Sequence, residues 1–175
     1  KPLRKVKAPR VIGYCFTEWP LAENAERESR QYDVLFAGSS WNTDRLRAAG
    51  CKRVETLIQG VDLDLFTHQP PSERNGFVIF SGGKYEFRKG QDYVIAALRR
   101  FMKQRQDAVL LAAWHNPWPQ SMESMKNSWL IDTADKFKGL PIDRVIEIPP
   151  MINKLMPGIY AQAHVGLFPN RCEAG

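Results

Sequence analysis

Strand-length apolar runs and helical stripes alternate along this chain. Residues 11–15 and 32–37 (Tyr-Asp-Val-Leu-Phe-Ala) have the length and composition of strands. Ser39 and Ser40 then offer caps for a helix through Asp44 to Ala49, and Gly50 is a usual helix stop. A third strand is predicted over 54–58. A second series starts at 77–80, an apolar strand followed by the turn Ser81-Gly82-Gly83. A helix over 90–103 places Val94, Ala97, Leu98 and Phe101 on one face. Residues 108–113 read as a buried strand. Met122, Met125, Trp129 and Phe137 recur at helical intervals and read as core. A strand over 145–148, a helix over 153–163 with Leu155, Met156, Ile159 and Tyr160 inward, and a strand over 165–168 complete the pattern.

Strands and helices in alternation, with uniformly apolar strands, predict an α/β fold of Rossmann-like parallel sheets covered on both faces. In such sheets ligands bind outside the carboxyl ends of the strands. That rule selects residues 82–89, 114–116, 149–152 and 169–175 as the loops in which to look for chemistry. The stretch 67–75 (Thr-His-Gln-Pro-Pro-Ser-Glu-Arg-Asn) is polar and carries two prolines, so it reads as a linker between 1–66 and 76–175.

Composition narrows the function. At 175 residues and 43% hydrophobic the chain can bury a core. It lacks the bias of disordered, collagen-like or short-repeat sequences. No apolar run approaches the ~20 residues of a membrane helix, and the basic segment 1–10 lacks the apolar core of a signal peptide. Cys15, Cys51 and Cys172 are odd in number and far apart, which suits reduced thiols in a cytoplasmic protein. His68, His115 and His164 are scattered too, so no metal site is expected. The net charge of +6 fits nucleic acid, an anionic membrane surface or a small phosphorylated ligand. Much of that excess lies in 1–10, where it reads as a solvated arm.

The loop after the strand at 77–80 reads Ser81-Gly82-Gly83-Lys84-Tyr85-Glu86-Phe87-Arg88-Lys89-Gly90. Glycines admit a ligand close to the backbone, and Lys84, Arg88 and Lys89 cluster beside the start of a helix, whose positive end favours an anion. Such a cluster could hold a diphosphate or simply face water. It has the spacing of neither the P-loop nor the dinucleotide fingerprint.

Four segments carry a resemblance to a known family. Tyr32-Asp-Val-Leu-Phe-Ala-Gly-Ser39, Gln59-Gly60-Val61-Asp62 with Phe66 and Pro70, Gly83-Lys84 with Lys89-Gly90, and Phe168-Pro169-Asn170-Arg171-Cys172-Glu173 stand in register over about residues 30 to 175. Together they resemble retaining glycosyltransferases of family 4, which have the GT-B fold and are typified by bacterial mannosyl- and glucosyltransferases. The resemblance implies that 1–66 ends an acceptor-side domain and that 76–175 is a partial donor-binding domain. It implies a chain that covers only part of such an enzyme and does not transfer sugar alone. A nucleoside-diphosphate sugar is the implied donor; the acceptor, whether saccharide, lipid or protein, is not indicated. Lys84, Lys89 and Glu173 take catalytic roles, the lysines on the departing diphosphate and the glutamate on the donor sugar. Gly82, Gly83, Arg88, His115, Pro150, Met151 and Asn170 take substrate-binding roles. No cofactor and no metal are implied. Nucleic acid is not an expected partner, and a peripheral contact with an anionic membrane stays open.

The sequence also departs from the family pattern. Lys84 stands where Arg is usual and Arg88 where Glu is usual, and Trp114-His115-Asn116 replaces a glycine-rich turn. Lysine is a point charge without the guanidinium fork, so it can bind phosphate with altered geometry. Asp62-Leu63-Asp64 has the spacing of a metal-binding pair but reads as a capped turn. His115 and His164 read as structural, although His115 could approach the sugar. GT-B enzymes of other chemistry, such as epimerases or phosphorylases, share the fold, and a basic nucleic-acid-binding domain is the other alternative.

Overall fold

A computed structural model describes residues 8–68, 70, 76–130 and 135–173. The chain divides into two compact units, one of Lys1–Val61 with Cys172–Gly175 and one of Asp62–Arg171. The expected linker at 67–75 and the basic arm at 1–10 lie largely outside the described residues.

In the first unit, β1 (Ile12–Cys15), β2 (Val34–Ala37) and β3 (Val54–Thr56) form a parallel sheet in that order. Gly13, Leu35 and Val54 share a register row, as do Tyr14, Phe36 and Glu55. Side chains alternate across the pleat, so the first row joins Ala37, Leu46 and Cys51 in a core. Ile12 and Tyr14 point the other way and are exposed. Between the strands run α1 (Ala25–Ser29) and α2 (Ser40–Ala48). Ser39 caps α2 by accepting the Asn42 N–H at 3.2 Å, and Gly50, at φ +88°, ends its turn.

The second unit carries β4 (Phe77–Gly82), α3 (Gln91–Gln104), β5 (Ala108–Ala113), α4 (Pro119–Met122), β6 (Val145–Glu147), α5 (Met156–Tyr160) and β7 (Val165–Gly166). Its parallel sheet has the order β6-β5-β4-β7. The chain thus winds outward from β4 through β5 to β6, then crosses back to lay β7 on the other side of β4. Cores lie on both faces of this sheet. Ile79, Leu110 and Ala112 meet Val94, Ile95, Leu98 and Met102 of α3, while Phe80, Leu111 and Ile148 meet Met151, Met156 and Ile159. Burying each large aliphatic side chain contributes about 1.5–3 kcal/mol. Arg144 closes the far end of α3, donating through Nη1 to the carbonyls of Met102, Arg105 and Gln106.

Three sequence expectations need correction. Ala97 is exposed, and Ile95 and Met102 complete the buried stripe of α3 instead, because the stripe follows i, i+1, i+4 and i+8 from Val94. Residues 119–127 form two short turns, α4 and a 3-10 turn over Glu123–Asn127, so the expected periodic face breaks up. Met125 is buried, but Met122 and Trp129 are exposed, the latter at 88%. The helix expected over 153–163 is a 3-10 turn, Asn153–Leu155, followed by the five-residue α5, with Pro157 and Gly158 inside it. Pro157 suits the first turn of α5, where its missing N–H would have no partner, and Gly158 weakens the helix behind it; Leu155 and Tyr160 lie exposed.

Candidate functional site

In an open α/β sheet the crevice forms where strand order reverses. Here that point lies between β4 and its two neighbours, β5 and β7. A cavity of about 350 Å³ opens there, within the 300–1,000 Å³ or so of small-molecule sites.

Its lining is mixed in chemistry. Phe80, Ile148, Met151, Met156, Tyr160 and Phe168 are its apolar residues, and Gly82, Gly83, Lys89, His115 and Asn170 bring backbone, charged and polar groups to it. Pro149 and Pro150 complete the wall after β6. Lys89 is the only lysine or arginine among the described residues that line it. Such a site suits a ligand with one flat, weakly polar part and one anionic part. Gly83 sits at φ +117°, in the left-handed region that favours glycine, and its N–H donates to the Ala113 carbonyl at 3.2 Å.

The sequence-selected residues therefore separate. Gly82, Gly83, Lys89, His115, Pro150, Met151 and Asn170 come together around one cavity. Lys84 does not line it; its ammonium lies 4.8 Å from the centroid of the Trp118 ring. Arg88 turns inward to Glu86 at 2.7 Å, with both side chains largely buried. Glu173 is half-buried and groups with the first unit. His164 accepts the Val78 N–H through Nδ1 at 3.0 Å and stacks on Phe77, a structural role. Asp62 Oδ1 accepts the N–H groups of Asp64 and Leu65, so it caps its own turn. Among the described residues no group of three His, Cys, Asp or Glu side chains is gathered as metal ligands would be.

Trp114 and Tyr85 lie in loops the sequence selected, but their packing and the role of Asp92 were not legible there. Trp114 is 3% exposed and lies in a stack between Tyr85 and Phe137, with centroids 6.1 and 5.6 Å away. Its Nε1–H donates to Ser81 Oγ at 3.1 Å, and that hydroxyl donates to the Leu167 carbonyl at 2.9 Å, which joins the ends of β5, β4 and β7. Burial, then the charges of Asp92 and Asp135, push the Tyr85 phenol up to about 12. Asp92 is fully buried in the first turn of α3. Burial raises its carboxyl, but hydrogen bonds from Arg171 and Ser128 and the guanidinium charge outweigh that and hold it below its ordinary value. A carboxylate thus already compensates the positive end of α3, and Lys89 supplies the lysine of the cavity lining.

No family model matches the sequence, and no curated protein matches it. Solved structures do. HepE of Anabaena in complex with UDP and glucose is similar at 14% identity and a TM-score of 0.68, over 92% of this chain and 46% of that one. The trehalose-6-phosphate synthase OtsA is similar at 15% identity and 0.68, over 94% and 47%. The catalytic domain of starch synthase IV from Arabidopsis thaliana, bound to ADP and acarbose, is similar at 13% and 0.53, over 83% and 36%. The fold is of GT-B type, with Rossmann-like parallel sheets. The chain spans less than half the length of each of these structures.

Proposed function

We propose that this chain carries the donor-binding part of a retaining glycosyltransferase related to family 4, and that the cavity beside β4 holds a nucleoside-diphosphate sugar. The observation that carries the reading is the mixed lining at the switch point, with apolar side chains for the nucleoside and Lys89 beside Gly83 for the diphosphate. HepE was solved with UDP and glucose and starch synthase IV with ADP, which supports a ligand of this class in a fold of this kind.

Cleavage of a sugar–diphosphate bond places negative charge on the departing phosphate oxygen and leaves an oxocarbenium-like sugar. Lys89 stabilises that leaving group, doing by fixed charge what a metal does elsewhere. Lys84 supports the diphosphate from the outer side of the same loop. A cation–π contact at an exposed site is worth only about 0.5–1 kcal/mol, so leaving Trp118 for a phosphate oxygen costs little. Glu173 contacts hydroxyls of the donor sugar, and the acceptor attacks from the face the diphosphate leaves, which retains configuration. Asp62 is engaged in its own turn, so turnover survives EDTA. Nucleic acid is the poorer partner, because Arg88, Arg105 and Arg171 of the second unit are paired with carboxylates.

The test is binding of UDP-, ADP- and GDP-sugars by this chain, together with turnover in an intact enzyme that carries it, read as released nucleoside diphosphate and glycosylated product. Lys89→Ala should lower turnover about 10²–10³-fold, the usual loss for one transition-state charge contact, and Lys84→Ala should lower it less. Parental turnover in Lys89→Ala would sink the assignment. Isomerised nucleotide sugar without transfer would point to an epimerase on the same fold.

A further inference from the structure

Two segments far apart in sequence meet at this cavity, and the contacts between them bracket two of its lining residues. The Arg171 N–H donates to the Arg88 carbonyl at 2.8 Å. Gly90, at φ +73°, lies so close to Pro169 that a Cβ there would stand 2.1 Å from the Pro169 carbonyl oxygen. Arg88 and Gly90 flank Lys89; Pro169 and Arg171 flank Asn170. Lys89 and Asn170, which both line the cavity, are therefore held beside each other by contacts on both sides of each.

The Arg171 side chain locks this arrangement. Its guanidinium meets Asp92 in a two-pronged pair, Nη1 to Oδ1 at 2.8 Å and Nη2 to Oδ2 at 2.7 Å, and Nη1 also donates to the Phe87 carbonyl at 2.6 Å. Its Cζ lies 3.7 Å from the centroid of Phe87 and 4.1 Å from that of Tyr93, close over both rings. Asp92 accepts from Ser128 Oγ at 2.6 Å besides. A carboxylate in the first turn of a helix is already stabilised by the helix end. Arg171 adds a rigid tie between the loop after β7 and the start of α3. A planar fork between rings fits that task, and a lysine would keep the charge without the fork or the stacking.

We propose that Arg171 is a positioning residue: its clamp on Asp92 fixes the segment of Asn170 against the segment of Lys89, so that a bound donor meets both side chains in one arrangement. The proposal rests on the cavity being the donor site. Neither Arg171 nor Asp92 lines the cavity, so the clamp governs how well bound donor reacts more than how tightly nucleotide binds.

The experiment measures kcat and KM of an intact enzyme that carries this chain for whichever of UDP-, ADP- or GDP-glucose it turns over, with the dissociation constant of the matching nucleoside diphosphate by calorimetry. Arg171→Met should lower kcat roughly 10–100-fold, the loss expected of a misplacement near 1 Å, and leave the nucleoside diphosphate constant within about threefold, because the apolar lining and Lys89 remain. Arg171→Lys should fall between the two, and Asp92→Asn should behave like Arg171→Met. The double variant Arg171→Met, Asp92→Asn should be no worse than the poorer single one, since both break one interaction. Parental kcat in folded Arg171→Met, equal losses in kcat and nucleotide affinity, or additive losses in the double variant would overturn the proposal. If Arg171→Met does not fold, Arg171→Lys decides, and a parental kcat there overturns it. A defective Lys89→Ala beside a parental Arg171→Met defeats the clamp alone. Absence of turnover and of UDP, ADP and GDP binding in the parent defeats the donor-site reading and the clamp with it.

Discussion

Tyr85 ties local burial to the behaviour of the folded protein. Its ring packs on Trp114 beneath the glycine loop, 5% exposed, with Asp92 and Asp135 near enough to oppose a phenolate. The folded value is about 12, against about 10 for an unperturbed tyrosine. A group that holds its proton more tightly in the folded state contributes stability that is complete below the unfolded value and lost as pH rises through the folded one. Tyr85 should therefore destabilise the protein increasingly between pH 10 and 12. Alkaline melts compared with Tyr85→Phe test this: the parent should lose stability across that window more steeply than the variant. Identical curves would show that Tyr85 ionises freely. Its place under the loop could not be read from the sequence, where Lys84-Tyr85-Glu86 looks like any polar turn with one aromatic residue.

Among the elements, the turn from β4 into α3 shows how little freedom the site's backbone has. The short 3-10 turn Phe87–Lys89 ends at Gly90, whose left-handed conformation turns the chain into α3. For any other residue that conformation costs about 1–2 kcal/mol, and the Pro169 carbonyl would have to move as well. Gly90→Ala should thus lower the melting temperature by at least about 2–4 °C, taking the usual shift per kcal/mol for a chain of this size. Gly158 offers the control, since a Cβ there meets nothing within 4 Å and the residue lies inside α5. Gly158→Ala should be neutral or stabilising by up to about 1 kcal/mol. Equal melting temperatures for the two variants would contradict the crowding at Gly90. The sequence marked Lys89-Gly90 as a unit, but not that Pro169 is what the glycine makes room for.

At the scale of the whole molecule, the two sheets differ in cover. The second sheet has a core on each face, whereas the first presents Ile12 at 66% and Tyr14 at 43% exposure, and Ile58 nearby in sequence is 73% exposed. β1 and β3 are edge strands, as are β6 and β7. An apolar sheet face with open edges favours association. The 175-residue polypeptide should accordingly show concentration-dependent sedimentation, and Ile12→Lys should shift it toward monomer. A concentration-independent monomer would refute this. Among the described residues no helix is long and apolar enough to cross a membrane, so these exposed side chains are not parts of a spanning helix.

The alternation of apolar and polar positions was enough to determine the parallel α/β character, the approximate strand positions and the loops at their carboxyl ends. These follow from backbone geometry and side-chain period, which act over a few residues. It could not distinguish Lys84 from Lys89, five positions apart in one loop, because only the packing of Trp118 and the glycine turn sends one ammonium outward and the other to the cavity. Nor could it pair Arg171 with Asp92, 79 residues away. That pair exists because β7 lies beside β4 instead of continuing past β6, which brings the loop after the last strand against the first turn of α3. Strand order is decided by how the two faces of the sheet can be covered together, a property of the assembled unit that no local period encodes.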